Sequence, residues 1–79
     1  MIKKGIYRHY KGKEYEVLGV ARHSETLEEL VVYKALYLVE NFGEEFKGEP
    51  IFVRPKEMFF EEIEVNGKKL KRFEFVKEK

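Results

Sequence analysis

The chain has 79 residues, of which 43% are hydrophobic, and its 16 basic and 15 acidic side chains leave a formal net charge of +1. A chain of this length supports one hydrophobic core, so we expect residues 1–79 to form a single domain. The near-neutral charge argues against indiscriminate nucleic-acid binding, and the lack of cysteine excludes a disulfide framework and a thiolate nucleophile.

Residues 5–21 predict a first hairpin, because two segments rich in Ile, Val and Tyr flank a glycine-containing turn. A type II′ turn with Gly12 and Lys13 at the tip would place Tyr10 opposite Tyr15. The alternative register has its tip one residue earlier in the chain. Both versions predict an N-terminal pair of antiparallel strands.

The middle of the chain allows two interpretations. Residues 26–29 fit a capping box, which would begin a helix over residues 27–39. Residues 30–37 are instead dense in β-branched and aromatic side chains and offer no polar face, so we favour a strand. Gly19, in the strand before, predicts a bulge or bend of the kind that curves short sheets. Residues 41–50 carry turn residues and acidic charge, and we expect an exposed loop there.

Residues 51–53 predict a short buried strand that Pro55 ends. The segment from Pro55 to Met58 suits one helical turn, because proline is tolerated at the first helical position. The apolar side chains of residues 58–60 are expected in the core.

The last hairpin has the strongest local signal. Asn66 and Gly67 are the preferred pair for a type I′ turn, because both positions need positive φ. With these two residues as the loop, every cross-strand pair is complementary in charge or polarity. The predicted pairs are Glu64 with Lys69, Ile63 with Leu70, Glu62 with Lys71, Glu61 with Arg72 and Phe60 with Phe73.

Several motifs occur together in one order and cover nearly the whole chain, from about residue 5 to residue 76. They are Tyr7-Arg8-His9-Tyr10-Lys11-Gly12, Tyr15-Glu16-Val17-Leu18-Gly19, Ala21-Arg22-His23-Ser24-Glu25-Thr26, Val31-Val32-Tyr33-Lys34-Ala35-Leu36-Tyr37, Val53-Arg54-Pro55, Met58-Phe59 and Arg72-Phe73. In these motifs the chain resembles the bacterial family named domain of unknown function 1653. Where that family has a brief Gly-Asp turn, this sequence has an insertion at residues 38–50.

The resemblance implies a small, mainly β protein and carries no activity. The expected fold is an SH3-like antiparallel barrel of five to six short strands with one helical turn. The alternative is an α+β fold with a helix at residues 27–39.

Both histidines and three arginines suggest an anion-binding surface. Arginine presents a fork of donors that matches phosphate or carboxylate, and histidine titrates near neutral pH. The candidate ligand-binding residues are Arg8, His9, Arg22, His23, Tyr33 and Arg54. The alternative is that these side chains form ordinary ion pairs with neighbouring glutamates on a solvated surface.

The sequence contains no recognisable catalytic or metal-binding arrangement. His23, Ser24 and Glu25 are adjacent in the chain, whereas a catalytic triad is assembled by the fold. The spacing of His9 and His23 matches no known metal-ligand pattern. We therefore expect no enzymatic activity, no metal and no cofactor.

We expect a cytoplasmic interaction module that binds an anionic small ligand or a protein partner through Arg, His and Tyr side chains. A nucleic-acid-binding module with tyrosines as base-stacking platforms is the alternative, and a small-molecule enzyme is the third. The cytoplasm is expected because the chain lacks cysteine and begins without an apolar leader. No membrane partner is expected, because no segment approaches the roughly 20 apolar residues of a membrane span.

Overall fold

The computed structural model describes residues 2–37 and 50–78. Over these residues the chain is mainly β, as predicted, with one short helix. The elements are β1 (Gly5–His9), β2 (Glu14–Arg22), β3 (Glu29–Ala35), β4 (Ile51–Pro55), α1 (Lys56–Phe59), β5 (Glu62–Val65), β6 (Lys68–Lys71) and β7 (Phe73–Lys77). In the same residues no helix is long and apolar enough to cross a bilayer. The loop predicted at residues 41–50 and the insertion at residues 38–50 lie outside this description except for Pro50.

Five strands form one antiparallel sheet in the order β4-β3-β2-β1-β7, and β5 and β6 form a separate hairpin. The helix considered for residues 27–39 is wrong in the described part, because β3 occupies Glu29–Ala35. Its β-branched and aromatic side chains pack on the pleated surface of a strand. No ladder joins β4 to β7 within residues 2–37 and 50–78, so the expected closed SH3-like barrel is not confirmed.

The first hairpin has a register that neither sequence-based version predicted. Tyr7 pairs with Tyr15, and Arg8 pairs with Glu14. The loop is closed by the His9 N–H, which donates to the Lys13 carbonyl at 2.8 Å. Directly opposed residues face the same side of a sheet, so this register puts both tyrosines on the inner face. The free energy gained by burying the aromatic rings is therefore larger than the preference for a two-residue turn.

Gly19 marks a bulge, as predicted. Val17 pairs with Tyr33, but Gly19 pairs with Val32, so the register between β2 and β3 shifts by one residue at this point. Bulges increase the local twist and bend the strand that carries them.

The sheet curls until its two edges approach each other across the inner face. The guanidinium carbon of Arg54 in β4 lies 5.6 Å from the ring centroid of Phe73 in β7. In a flat sheet these edge strands would be four spacings apart, or roughly 19 Å. Side chains alone do not span that distance, so the backbone must bend.

The core fills the concave side of this curl. Phe59 of α1 is fully buried, and its ring stacks on Phe73 at 4.1 Å between centroids. The expectation that residues 58–60 all lie in the core is wrong for Met58 and Phe60, which are exposed. The buried hydrophobic residues are Ile6, Tyr7, Val17, Val31, Tyr33, Ala35, Phe59 and Phe73.

The strand predicted at residues 51–53 forms as part of β4, but the prediction that it is buried is wrong. Ile51 and Val53 are each 59% exposed, because β4 is an edge strand and these side chains point away from the core. Phe52, between them, packs inward against the core cluster.

The last hairpin has the predicted register. Glu62 pairs with Lys71 and Ile63 with Leu70, around a turn in which Asn66 and Gly67 have φ values of 52° and 80°. Glu61 and Arg72 also meet, by a backbone hydrogen bond of 3.0 Å. The predicted pairing of Phe60 with Phe73 does not form, because β6 ends at Lys71 and Phe73 pairs with His9 of β1.

Candidate anion-binding site

The structure brings three of the six candidate residues together and places the other three elsewhere. His9, Tyr33 and Arg54 converge around the buried ring of Phe73 on the inner face of the sheet. Arg8 is adjacent to His9 in β1 and therefore points to the opposite face. Arg22 and His23 lie at the far end of β2, roughly 25 Å from the strand position that pairs with Arg8.

Arg54 is held against aromatic rings. Its Nε donates a hydrogen bond of 3.3 Å to the Tyr33 hydroxyl, and its guanidinium lies over Phe73. Within the described residues no carboxylate lies within salt-bridge distance of it. Its guanidinium group is thus held in place without a carboxylate partner in the part of the chain that the structure describes.

Arg72 is a functional candidate that the site prediction missed. Its Nη2 donates to Glu61 Oε1 at 2.8 Å, while its Nε is buried and has no hydrogen-bond partner among the described residues. A buried donor without a partner costs about 1–3 kcal/mol. The sequence predicted the pairing of Glu61 with Arg72, but only as a cross-strand ion pair. It did not predict that Arg54 packs on Phe73, the residue after Arg72.

The pKa of His9 is lowered in the folded protein. Burial is the largest cause, and the positive charges of Arg54, Arg72 and Lys11 lower the pKa further. Its Nδ1 accepts a hydrogen bond of 3.2 Å from the Lys11 N–H, so the neutral ring carries its proton on Nε2. We call His9, Arg54 and Arg72 the basic cluster.

Tyrosines and lysines of the first hairpin, with Tyr37 after β3, lie on the side of the basic cluster formed by His9. The hydroxyls of Tyr15 and Tyr37 are 2.6 Å apart, and the pKa of Tyr15 is raised by burial and by this hydrogen bond. The Tyr10 ring lies 4.5 Å from the His9 ring. Two ammonium groups lie over these outer rings, Lys11 at 5.8 Å from Tyr10 and Lys13 at 5.0 Å from Tyr37. The arrangement combines positive charge with aromatic surface.

The remaining candidates make local contacts. Arg8 forms an ion pair of 2.9 Å with Glu14, and Arg22 donates to the Leu27 carbonyl at 3.0 Å. His23 Nδ1 accepts hydrogen bonds from two backbone N–H groups of the turn that follows it, so this nitrogen is not oriented by an acidic side chain. No three His, Asp or Glu side chains in the described parts of the chain are arranged to hold a metal ion.

We expect the free energy of unfolding to fall as the pH drops below about 6.5, the usual pKa of histidine. The pKa of His9 is lowered in the folded state, so the unfolded chain binds this proton more readily. The loss begins near the unfolded pKa and is complete below the folded pKa. Glu29, whose pKa Lys56 lowers by a hydrogen bond and its charge, affects stability only in a more acidic range.

Urea unfolding at several pH values between 7.5 and 5 would measure this effect, the range being chosen to bracket about 6.5. His9→Gln should flatten the dependence. His23→Gln, in the remote turn, should keep it. An unchanged slope in His9→Gln would contradict the prediction.

Comparisons with known proteins agree on one family. A family model described as a protein of unknown function, DUF1653, matches residues 5–75. The crystal structure of a protein belonging to DUF1653 from Bordetella bronchiseptica is 35% identical, with a TM-score of 0.82. The match covers 98% of this chain and 90% of that one. No curated protein matches the chain.

Proposed function

We propose that this chain, which belongs to the DUF1653 family of proteins of unknown function, binds an anionic ligand through the basic cluster and works by binding rather than by catalysis. The ligand would carry a phosphate, sulfate or carboxylate group, since these match the fork of donors on arginine. The anionic group would belong either to a free small molecule or to a protein partner.

One observation carries the proposal. Arg54 and His9 both lie against the ring of Phe73, Arg72 is the residue before Phe73, and both guanidinium charges lower the pKa of His9. Among the described residues, Glu61 forms a salt bridge with Arg72. Like charges held together without equal compensation repel one another. An anion would relieve this repulsion and could accept a hydrogen bond from the buried Arg72 Nε, which has no partner within residues 2–37 and 50–78.

Titration with sodium sulfate at constant ionic strength tests the proposal, because sulfate does not change its charge near neutral pH. We expect saturable shifts of the NMR signals of His9 and of the Arg54 and Arg72 side chains. Arg54→Ala and Arg72→Ala should each weaken binding at least about tenfold, because a hydrogen bond to a charged group contributes about 1.5–3 kcal/mol. Lowering the pH should tighten binding, since protonated His9 adds a positive charge.

Arg8→Ala and Arg22→Ala are matched controls, because each removes an exposed arginine that lies outside the basic cluster. Both should bind sulfate as the unmodified chain does. Arg54→Lys retains the charge but loses the fork, and should have an intermediate affinity. Linear shifts without saturation, or equal losses in all four alanine variants, would refute the site.

Single-stranded nucleic acid is the second candidate ligand. Tyr10 is exposed beside His9. The ammonium group of Lys11 lies over the Tyr10 ring, and that of Lys13 lies over the Tyr37 ring. Base stacking on aromatic rings with phosphate contacts to cations is a common binding mode for single strands. A labelled single-stranded oligonucleotide should then bind with strong salt dependence, and Tyr10→Ala should weaken it while leaving sulfate binding intact.

We also propose that the architecture is SH3-like. The curl that brings Arg54 to Phe73 supports this proposal, as does the separate hairpin of β5 and β6. In such an arrangement the basic cluster lies where one open edge of the sheet approaches the other. This position makes the site accessible without a deep cavity.

A further inference from the structure

We infer that the groove between the β2–β3 turn and α1 binds an extended segment of a protein partner in which an apolar side chain lies next to Lys or Arg. The groove has a volume of about 610 Å³ and runs between Leu27 and Phe60. This volume falls within the range of about 300–1,000 Å³ that is typical of ligand sites. The surface is distinct from the basic cluster, with which it shares no residue.

Leu27 has an unfavourable conformation that burial in this chain does not offset. Its φ is 64°, in the left-handed region where branched and bulky side chains are disfavoured and Gly or Asn is usual. Its side chain is nevertheless 61% exposed. A partner that covers this side chain would supply the missing burial.

The turn holds Leu27 firmly in this position. Its N–H donates to the His23 carbonyl at 2.9 Å, and the His23 N–H donates to the Glu28 carbonyl at 2.8 Å. Arg22 adds a hydrogen bond of 3.0 Å to the Leu27 carbonyl. An apolar side chain presented on a rigid turn loses little conformational freedom on binding, which favours a role as an interface anchor.

Phe60 forms the opposite wall. It is 43% exposed, although its neighbour Phe59 is fully buried, and the two rings pack edge to face at 5.2 Å. Its N–H donates to the Lys56 carbonyl at 3.2 Å, which fixes the end of α1. The groove therefore lies between two apolar side chains, each held by its own element.

The charges of the groove select the partner. Glu29 contacts both cations of the groove, Lys56 at 3.1 Å and Arg22 at 3.7 Å. Glu28 and Glu57 also line the groove and make no salt bridge within the described residues. The uncompensated charge is negative, so a basic segment is complementary and an acidic one is repelled.

Fluorescence anisotropy with a short fluorescein-labelled peptide of alternating lysine and leucine tests this inference. The peptide should bind saturably, whereas a counterpart with glutamate in place of lysine should not. Leu27→Asn should weaken binding at least about tenfold while the melting temperature stays the same or rises, because Asn tolerates the left-handed conformation. A structural role for the leucine would lower the melting temperature instead.

A double variant, Glu28→Gln with Glu57→Gln, should also weaken binding and reduce its salt dependence. Leu70→Asn is the matched control, since Leu70 is an exposed leucine outside the groove, and it should bind normally. In NMR spectra the peptide should shift signals of residues 22–29 and 56–60 and leave His9 unchanged. Normal affinity in Leu27→Asn, equal binding of the glutamate peptide, or displacement by spermidine at equal concentration would overturn the inference; the last would indicate a polyamine site.

Discussion

Replacing Phe59 by alanine should destabilise the protein by about 3–5 kcal/mol, the usual cost of removing a fully buried phenylalanine. Its ring is fully buried, stacks on Phe73 and packs edge to face against Tyr7 and Tyr33 at 5.5 and 5.4 Å. Because α1 is a single turn, this ring is its main attachment to the sheet. Urea unfolding would measure the change, and a loss of this size is a large share of the about 5–15 kcal/mol typical of small domains.

Phe60→Ala is the control, because it removes the same side chain one residue later from an exposed position. We expect it to change the free energy of unfolding by less than about 1 kcal/mol. Similar losses in the two variants would mean that α1 does not attach through Phe59. The comparison also shows whether a Phe60 variant is folded well enough to test the groove beside it.

Gly5→Ala should have the second largest effect, a loss of about 2–4 kcal/mol from backbone strain and overpacking combined. Gly5 has a φ of 148° in β1, a conformation that other residues rarely adopt. A Cβ there would collide with the backbone carbonyl oxygen of Lys77 in β7. The two strands would have to separate, and thermal unfolding would record the loss.

Substitutions at Gly12 and Gly19 would distinguish backbone strain from the steric clash as the cause of the destabilisation in Gly5→Ala. Gly12 also has a positive φ, 104°, but an added Cβ would meet no atom within 4 Å, so Gly12→Ala should cost only about 1 kcal/mol. Gly19 has ordinary backbone angles and its nearest neighbour would be a flexible lysine end, so Gly19→Ala should be close to neutral. Equal effects at Gly5 and Gly12 would show that the contact with Lys77 is unimportant.

The two hairpins show when a sequence determines its own register. In the last hairpin, the Asn66-Gly67 turn and the charge pairs across the strands favour the same alignment, and that alignment forms. In the first hairpin the turn allowed two alignments, and a third formed, which places Tyr7 opposite Tyr15 on the inner face of the sheet. Local turn preference contributes less free energy than the burial of two aromatic rings.

The candidate site was predictable only in part, because two of its features depend on the whole sheet. Alternation along a strand implies that Arg8 and His9, neighbours in β1, face opposite sides, so these two predicted residues do not share one surface. The approach of Arg54 to Phe73 depends on the curl of five strands, and no local pattern in the sequence reports it. The exposure of Ile51 has the same origin, since being at an edge is a property of strand order.

The curl also has a mechanical consequence. Edge strands usually fray first, and their amide hydrogens exchange with solvent through local opening. Arg54 lies in β4 at one edge of the sheet and Arg72 immediately precedes β7 at the other edge, so an anion bound by both would connect the two edges. Sulfate should then slow amide exchange in β4 and β7 together, in proportion to occupancy, and leave the turn between β5 and β6 unaffected.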